Sequence, residues 1–285
     1  MQSDQFQLHA EIEERHWWFV GRRRIMRRLA QAMVPPSKDS LAIDIGCGTG
    51  ANIASLADMY QCVGIDTSAE AIALARNRYP HVDFRVGRAP DDLGDVLPRA
   101  DLVLLMDVLE HVPDDFALFS SILGAARPGA KFLLTVPADQ ELWSRHDESF
   151  GHYRRYDAER FAKLWQGLPV QADLISYYNT RLYPLVKLIR RRNRRRATSA
   201  GEHGTDFKMP GRLANLLLKK TFAGEMTRLE RLLADKAAEP YRHGVSLIAV
   251  LTRGEGPIAT RPRPRGVVAD YFDPVAALPA CSVLA

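Results

Sequence analysis

Five short apolar runs mark the first half of the chain: Leu41–Ile45, Gln61–Asp66, Val82–Val86, Asp101–Met106 and Lys131–Pro137. They have the length of strands, are rich in Val, Ile and Leu, and for the most part do not alternate with polar residues, as in strands buried on both faces. Between them Ala51–Leu56, Ala69–Tyr79 and a segment ending at Ile122–Ala126 read as helices. Strands alternating with helices predict a parallel sheet covered on both faces. A capped helix over Asp157–Trp165 leads to a sixth strand, Val170–Tyr178, and Val245–Thr252 reads as the last one. Ahead of the sheet, Asp4–Met33 reads as one helical arm stopped by Pro35 and Pro36. Its adjacent Trp17, Trp18 and Phe19 cannot share one helix face, since neighbours point about 100° apart. A long segment before the last strand opens on Tyr183–Ile189 and holds an amphipathic helix over Leu213–Leu233.

The chain has 285 residues, of which 46% are apolar, enough for one large α/β domain with additions or at most two domains. The expected organisation is a helical arm or lid over residues 1–36, a main domain over 37–253 with a basic insertion near 180–243, and a poorly ordered tail over 254–285. Glu11, Glu13 and Glu14 interrupt the first residues, so no signal or transit peptide is expected. No apolar run reaches the roughly 18 residues that span a bilayer. Cys47, Cys62 and Cys281 have neither pairing nor metal spacing, which fits a reduced cytoplasmic protein. The net charge of +5 is unevenly spread, because Arg190–Arg192 and Arg194–Arg196 follow the apolar stretch 183–189 directly. Such a segment fits a solvated basic loop, a peripheral contact with a membrane surface through 183–196, or, less well, nucleic acid.

The first strand runs into Gly46, Gly48 and Gly50, a corner where backbone turns sharply and a ligand approaches with no Cβ in the way. A GxGxxG loop there would imply a dinucleotide; the shorter spacing disfavours an NAD-type dehydrogenase. Asp44-x-Gly46-x-Gly48-x-Gly50 resembles motif I of the class I S-adenosylmethionine (SAM)-dependent methyltransferases. Asp66 at the end of strand two and Asp107–Val112 after strand four resemble later motifs of the same family. More loosely, His16–Phe19, Val136–Ala138, His146–Glu148 and Gly244–Leu247 resemble a bacterial subgroup tied to envelope glycans, lipids or natural products.

The resemblance implies a Rossmann-like α/β fold: a seven-stranded, mostly parallel sheet with its final strand antiparallel, helices on both faces, an N-terminal helical arm and a helical insertion before the last strand. SAM is the implied cofactor and S-adenosyl-L-homocysteine the product. Asp44, Gly46, Cys47 and Gly48 would hold the donor's amino-acid end, Asp66 and Thr67 its ribose, and Asp107 and Val108 the region beside the methyl group. The family's acidic adenine contact is replaced by Gly87-Arg88-Ala89, which points to backbone groups of Arg88 and Ala89 or to Asp91. Trp18 would lid the cofactor, with Arg22 or Arg23 reaching its carboxylate.

The loop over Pro137–Tyr156 follows the C-terminal end of a strand, where open α/β sheets bind ligands. His146, Glu148 and His152 offer base chemistry, and Tyr153, Arg154 and Arg155 offer contacts to an anionic or sugar-like acceptor. His111 is a further candidate beside the acceptor. By resemblance to quinone O-methyltransferases, Asp107, Glu110 and His111 could hold a divalent cation; a packed histidine contacting the acceptor is the commoner arrangement, and no metal is assigned. The function expected is methyl transfer to a small-molecule, sugar or lipid-linked acceptor, chiefly at a hydroxyl. A SAM-binding protein without transferase activity is the alternative. The (Asp/Asn/Ser)-Pro-Pro-(Tyr/Phe) signature of DNA and RNA amino-methyltransferases is absent, which disfavours an RNA substrate.

Overall fold

The computed structural model describes residues 3–196 and 207–258. The polar stretch 197–206, the tail beyond 258 and Cys281 lie outside the described residues. Helices α1 (Ser3–Ile12) and α2 (Trp17–Met33) precede β1 (Leu41–Ile45), α3 (Ala51–Ala54), β2 (Gln61–Asp66), α4 (Ala69–Arg78), β3 (Asp83–Val86) and β4 (Leu102–Met106). Then come α5 (Asp115–Ala125), β5 (Lys131–Pro137), α6 (Arg145–Ser149), α7 (Ala158–Lys163) and β6 (Val170–Tyr178). Helices α8 (Tyr183–Arg196), α9 (Arg212–Ala223) and α10 (Met226–Ala234) lead to β7 (Ser246–Arg253).

The seven strands form one sheet in the order β3-β2-β1-β4-β5-β7-β6. Strands β1 to β5 run parallel, and β7 is antiparallel to both β5 and β6. Side chains alternate between two cores. Val103 and Leu105 join Phe119 and Phe132 on one side; Leu102 and Leu104 join Met26 and Leu29 on the other. The winding reverses between β1 and β4, which pair with Ile45 opposite Leu105, so both strands end side by side at a crevice where such sheets bind ligands.

Local structure departs from the sequence expectation at three places. The N-terminal arm is two helices, because Asn215 of α9 accepts the Trp17 N–H (2.8 Å) and donates to the Arg15 carbonyl (2.8 Å), capping a break. The helix expected over Leu213–Leu233 is split, because the buried Glu225 carboxylate turns inward to accept the Arg181 N–H (2.8 Å). The helix expected over Ala51–Leu56 is the single turn of α3. No helix among the described residues is long and apolar enough to cross a membrane.

Helix α9 closes on α2 at Gly21, where a Cβ would stand 2.6 Å from the ring of the buried Phe222. Gly21→Val is therefore expected to overpack this crossing and cost about 1–3 kcal/mol in urea denaturation. An unchanged midpoint would mean that α9 moves away at no cost.

Candidate active site

The glycine loop is fixed from behind. The N–H groups of Gly46 and Cys47 both donate to the Ile65 carbonyl (2.8 and 3.0 Å), and Gly48 N–H donates to Asp66 Oδ2 (2.9 Å). Asp66 Oδ1 accepts the Ser68 N–H (2.9 Å), so the acid ties the loop to the start of α4, which Ser68 caps. Gly46 has φ +72°, and a Cβ there would lie 2.7 Å from Val108. Gly48, with φ +53°, faces open space. The loop thus presents bare backbone toward the crevice. Thr49 Oγ1 donates to Glu13 Oε1 (2.9 Å), and Arg78 pairs with the same carboxylate, which fastens the corner between α1 and α2 onto the loop.

Acids crowd the floor. Asp44 is buried, and neither of its carboxylate oxygens has a hydrogen-bond partner among the described residues. Burial pushes its carboxyl up to about 7, against the opposing pull of Arg22. Asp107 begins the turn after β4 with φ +61°, a conformation that non-glycine residues adopt at a cost. Its Oδ1 accepts from Thr135 Oγ1 (3.0 Å), while its Oδ2 pairs with Arg22. The Arg22 guanidinium stacks over Trp18, one helical turn earlier, at 4.3 Å. Glu110 is fully buried with both oxygens lacking a hydrogen-bond partner among the described residues, and burial followed by the charge of Asp107 raises it well above the usual carboxylate range.

Trp18, Arg22, Asp107 and Glu110 border a cavity of about 420 Å³, within the size range of small-molecule sites, whereas Asp44 lies beyond its lining. Across from the glycine loop its wall is aromatic: His9, Phe19, Phe150 and Phe207 pack with ring centroids 4.9–6.2 Å apart where they touch. Beside them stand His111, His146 and His152. Asp147 lies behind this wall, completely buried. It accepts from His152 Nδ1 (3.1 Å) and Arg155 Nη1 (2.6 Å), and Arg190 of α8 adds a third contact at 3.4 Å. Burial opposes its charge, but Arg155, the His152 hydrogen bond and Arg190 hold it well below the usual range. An ionised carboxylate only accepts, so His152 Nδ1 carries the proton and Nε2 is the basic nitrogen.

The other two histidines differ. Withdrawal from solvent, then the charge of His152, lowers His111 to about 3; withdrawal from solvent, then Arg190, lowers His146 well below the ordinary value. Both therefore stay neutral and are weak bases near pH 7, which for His146 runs against the base chemistry expected of it and for His111 fits a packed histidine beside the acceptor. Tyr153 is outside the lining, because its N–H is bound to the Glu110 carbonyl (2.8 Å) and its ring lies beside Arg154 (5.6 Å). Arg23 also points elsewhere, donating to the Glu13 carbonyl (2.8 Å); of the two, Arg22 lines the cavity. Trp17, Trp18 and Phe19 all border the cavity, which wraps the first turn of α2.

Gly46, Cys47, Gly48, Asp107 and Trp18 line the cavity, as do Glu13, His16 and Thr49, which the sequence reading did not single out. Asp66, Thr67, Arg88 and Ala89 lie beyond the lining, as does Val108, which packs over Gly46. The Arg88 N–H already donates to Asp92 Oδ2 (2.7 Å), so the acid folded against this turn is Asp92 rather than Asp91. Ligand atoms of Glu110, His111 and His152 lie within 4.8 Å of one another, while Asp107, which the quinone O-methyltransferase resemblance would add to such a set, is engaged by Arg22.

Residues 17–183 match the methyltransferase domain family, and that match covers more than half of the 285-residue chain, which therefore belongs to this family. Its methyl donor, SAM, is accordingly the cofactor. A Cβ-free cradle at Gly48 in the cavity lining, with the unpartnered Asp44 carboxylate at the end of the preceding strand, fits a donor with a cationic ammonium. The chain is 32% identical over 130 residues to a probable S-adenosylmethionine-dependent methyltransferase of Mycolicibacterium smegmatis, covering 44% of this chain and 48% of that one. It is 28% identical over 134 residues to a trans-aconitate 2-methyltransferase of Azoarcus sp., covering 45% and 51%. It spans about half the length of these relatives. Among solved structures, a chain from the complex of the Haloferax volcanii Trm112 methyltransferase activator with a methyltransferase superposes with a TM-score of 0.50 at 17% identity, covering 88% of this chain and 98% of that one. The cyclase SpnF superposes at 0.51 with 17% identity, covering 82% and 81%. These two likenesses concern the fold alone.

The raised Asp44 carboxyl has a defined consequence for stability. Its unfolded value is about 3.9, so the unfolded chain releases this proton first, and stability falls as pH rises from about 4 to 7. Asp44→Asn is expected to raise the Tm of the ligand-free protein more at about pH 8 than at about pH 5 in scanning calorimetry. Equal shifts at both would mean that Asp44 is ionised throughout.

Proposed function

We propose that the protein transfers a methyl group from SAM to the hydroxyl of a small-molecule, sugar or lipid-linked acceptor. The observation that carries this reading is His152 in the cavity wall with Asp147 behind it, 3.1 Å from Nδ1, which leaves Nε2 as the nitrogen for the acceptor. When bound, the cofactor supplies an electrophilic methyl on a sulfonium centre. The loop from Gly46 to Gly50 and Asp44 would hold the amino-acid end, Arg22 would face the carboxylate, and Asp66, which fixes the loop through Gly48, would stand on the ribose side. The aromatic wall of His9, Phe19, Phe150 and Phe207 excludes water and orients the acceptor. As the acceptor oxygen takes the methyl, its proton passes to His152 Nε2, while Asp147 supports the imidazolium and Arg155 keeps Asp147 ionised. Positioning supplies most of the acceleration, with the base adding about 10²–10⁴-fold. The free thiols of Cys47 and Cys62 fit a reducing cytoplasm.

Calorimetric titration with S-adenosylhomocysteine tests the cofactor half. Micromolar binding is expected, and Asp66→Ala should weaken it by more than about tenfold, or 1.4 kcal/mol. No binding to either protein would overturn the reading.

The acceptor half is tested with radiolabelled SAM and an extract of phenols and glycolipids. His152→Gln and Asp147→Asn should bind S-adenosylhomocysteine normally yet lose about 10²–10⁴-fold in kcat, whereas His146→Gln should lose much less. Unchanged turnover in His152→Gln would remove the base. Turnover abolished by a chelator and restored by a divalent cation would instead make Glu110, His111 and His152 metal ligands.

A further inference from the structure

Helices α8 and α9 invert the usual arrangement of a surface helix, which turns its apolar stripe inward. In α9 the positions i, i+3 and i+4 are Leu213, Leu216 and Leu217, all exposed, with Leu213 at 70% and Leu217 at 56%. Lys220 continues the stripe at i+7 and Arg212 precedes it, both exposed. In α8 the same spacing gives Leu185, Leu188 and Ile189, with Leu188 at 66% exposure, and exposed Arg192 continues it. Among the described residues, seven of the eight exposed large apolar ones lie between 185 and 217. Buried anchors hold the helices in this pose. Phe222 fixes α9 against Gly21, and Arg190 of α8 donates to the Leu142 carbonyl (2.6 Å).

The α8 stripe borders the cavity, and α9 reaches the cavity beside its own stripe. Leu185 and Ile189 line the cavity from α8; Lys208, Pro210 and Leu218 line it from α9 and the residues before it. Neither helix contains an acid: α8 reads YPLVKLIRRRNRRR and α9 RLANLLLKKTFA. A second copy would therefore set cations against cations, and nucleic acid would leave the leucines in water. Leucines ringed by Lys and Arg match an anionic lipid surface, where apolar side chains enter the acyl boundary and cations meet headgroups.

We propose that the α8–α9 face docks on an anionic bilayer and opens the active-site cavity toward it, so that the acceptor is a membrane-embedded, lipid-linked molecule that enters between the two helices. The docking stands on this surface alone; the acceptor class rests on the methyl-transfer reading. The test is cosedimentation of the full chain with vesicles of phosphatidylcholine alone or with an equal part of phosphatidylglycerol. Binding is expected only to the anionic vesicles and should weaken with salt. The double variant Leu213→Glu with Leu217→Glu, at exposed positions outside the cavity, should bind them at least about tenfold more weakly while keeping its circular dichroism and its S-adenosylhomocysteine affinity. Loss of that affinity in the wild type would count against the methyl-transfer reading and leave docking intact. Failure to pellet, equal pelleting with neutral vesicles, or undiminished pelleting of the variant would overturn the docking. So would light scattering that shows a dimer split by the same variant.

Discussion

A single guanidinium makes the crevice tenable. The β1–β4 switch point brings Asp44, Asp107 and Glu110 to one end of the sheet, where carboxylates withdrawn from water are costly unless paired or protonated. Arg22 answers all three. It pairs with Asp107, and its charge pulls down the carboxyls of Asp44 and Glu110. That requirement dictates the position of α2, which must lie across the sheet's end with the Trp18–Arg22 edge facing inward. The remaining parts of the arm follow, with Glu13 holding Thr49 and Arg78, and α9 packing on Gly21.

A second buried charge plays the matching role on the acceptor side. Asp147 draws together His152 and Arg155 from the loop after β5 and Arg190 from the insertion. One end of the cavity thus depends on a cation among acids, and the other on an acid among cations. Each cluster is satisfied only when elements distant in sequence arrive together, so the cavity wall and the fold are specified by the same contacts.

The strands were legible because a strand buried on both faces needs an unbroken apolar run, and Leu102–Met106 is one from end to end. The glycine loop was legible because the strand-to-helix corner is a local geometry; that Asp66 braces the loop from behind the cavity, rather than lining it, was not. The helix breaks were not. Trp17 is capped by Asn215, 198 residues away, and no pattern within the arm encodes that partner. The choice between Arg22 and Arg23 depends on helix phase, which that same cap sets. The choice among His111, His146 and His152 depends on burial and on which ring meets Asp147, and residue type carries neither. Phe207, from the insertion, joins the cavity wall although nothing around it in sequence marks it as a site residue.

Asp147 also has a thermodynamic consequence. The carboxylate that sets the tautomer of His152 touches Arg190, and Arg190 belongs to the helix that carries one of the exposed apolar stripes. Whatever part of the free energy seating α8 is coupled through Asp147 to the imidazole acts equally in both directions. The set of His152 and the outer face of the molecule are thereby linked through a single pair of oxygens.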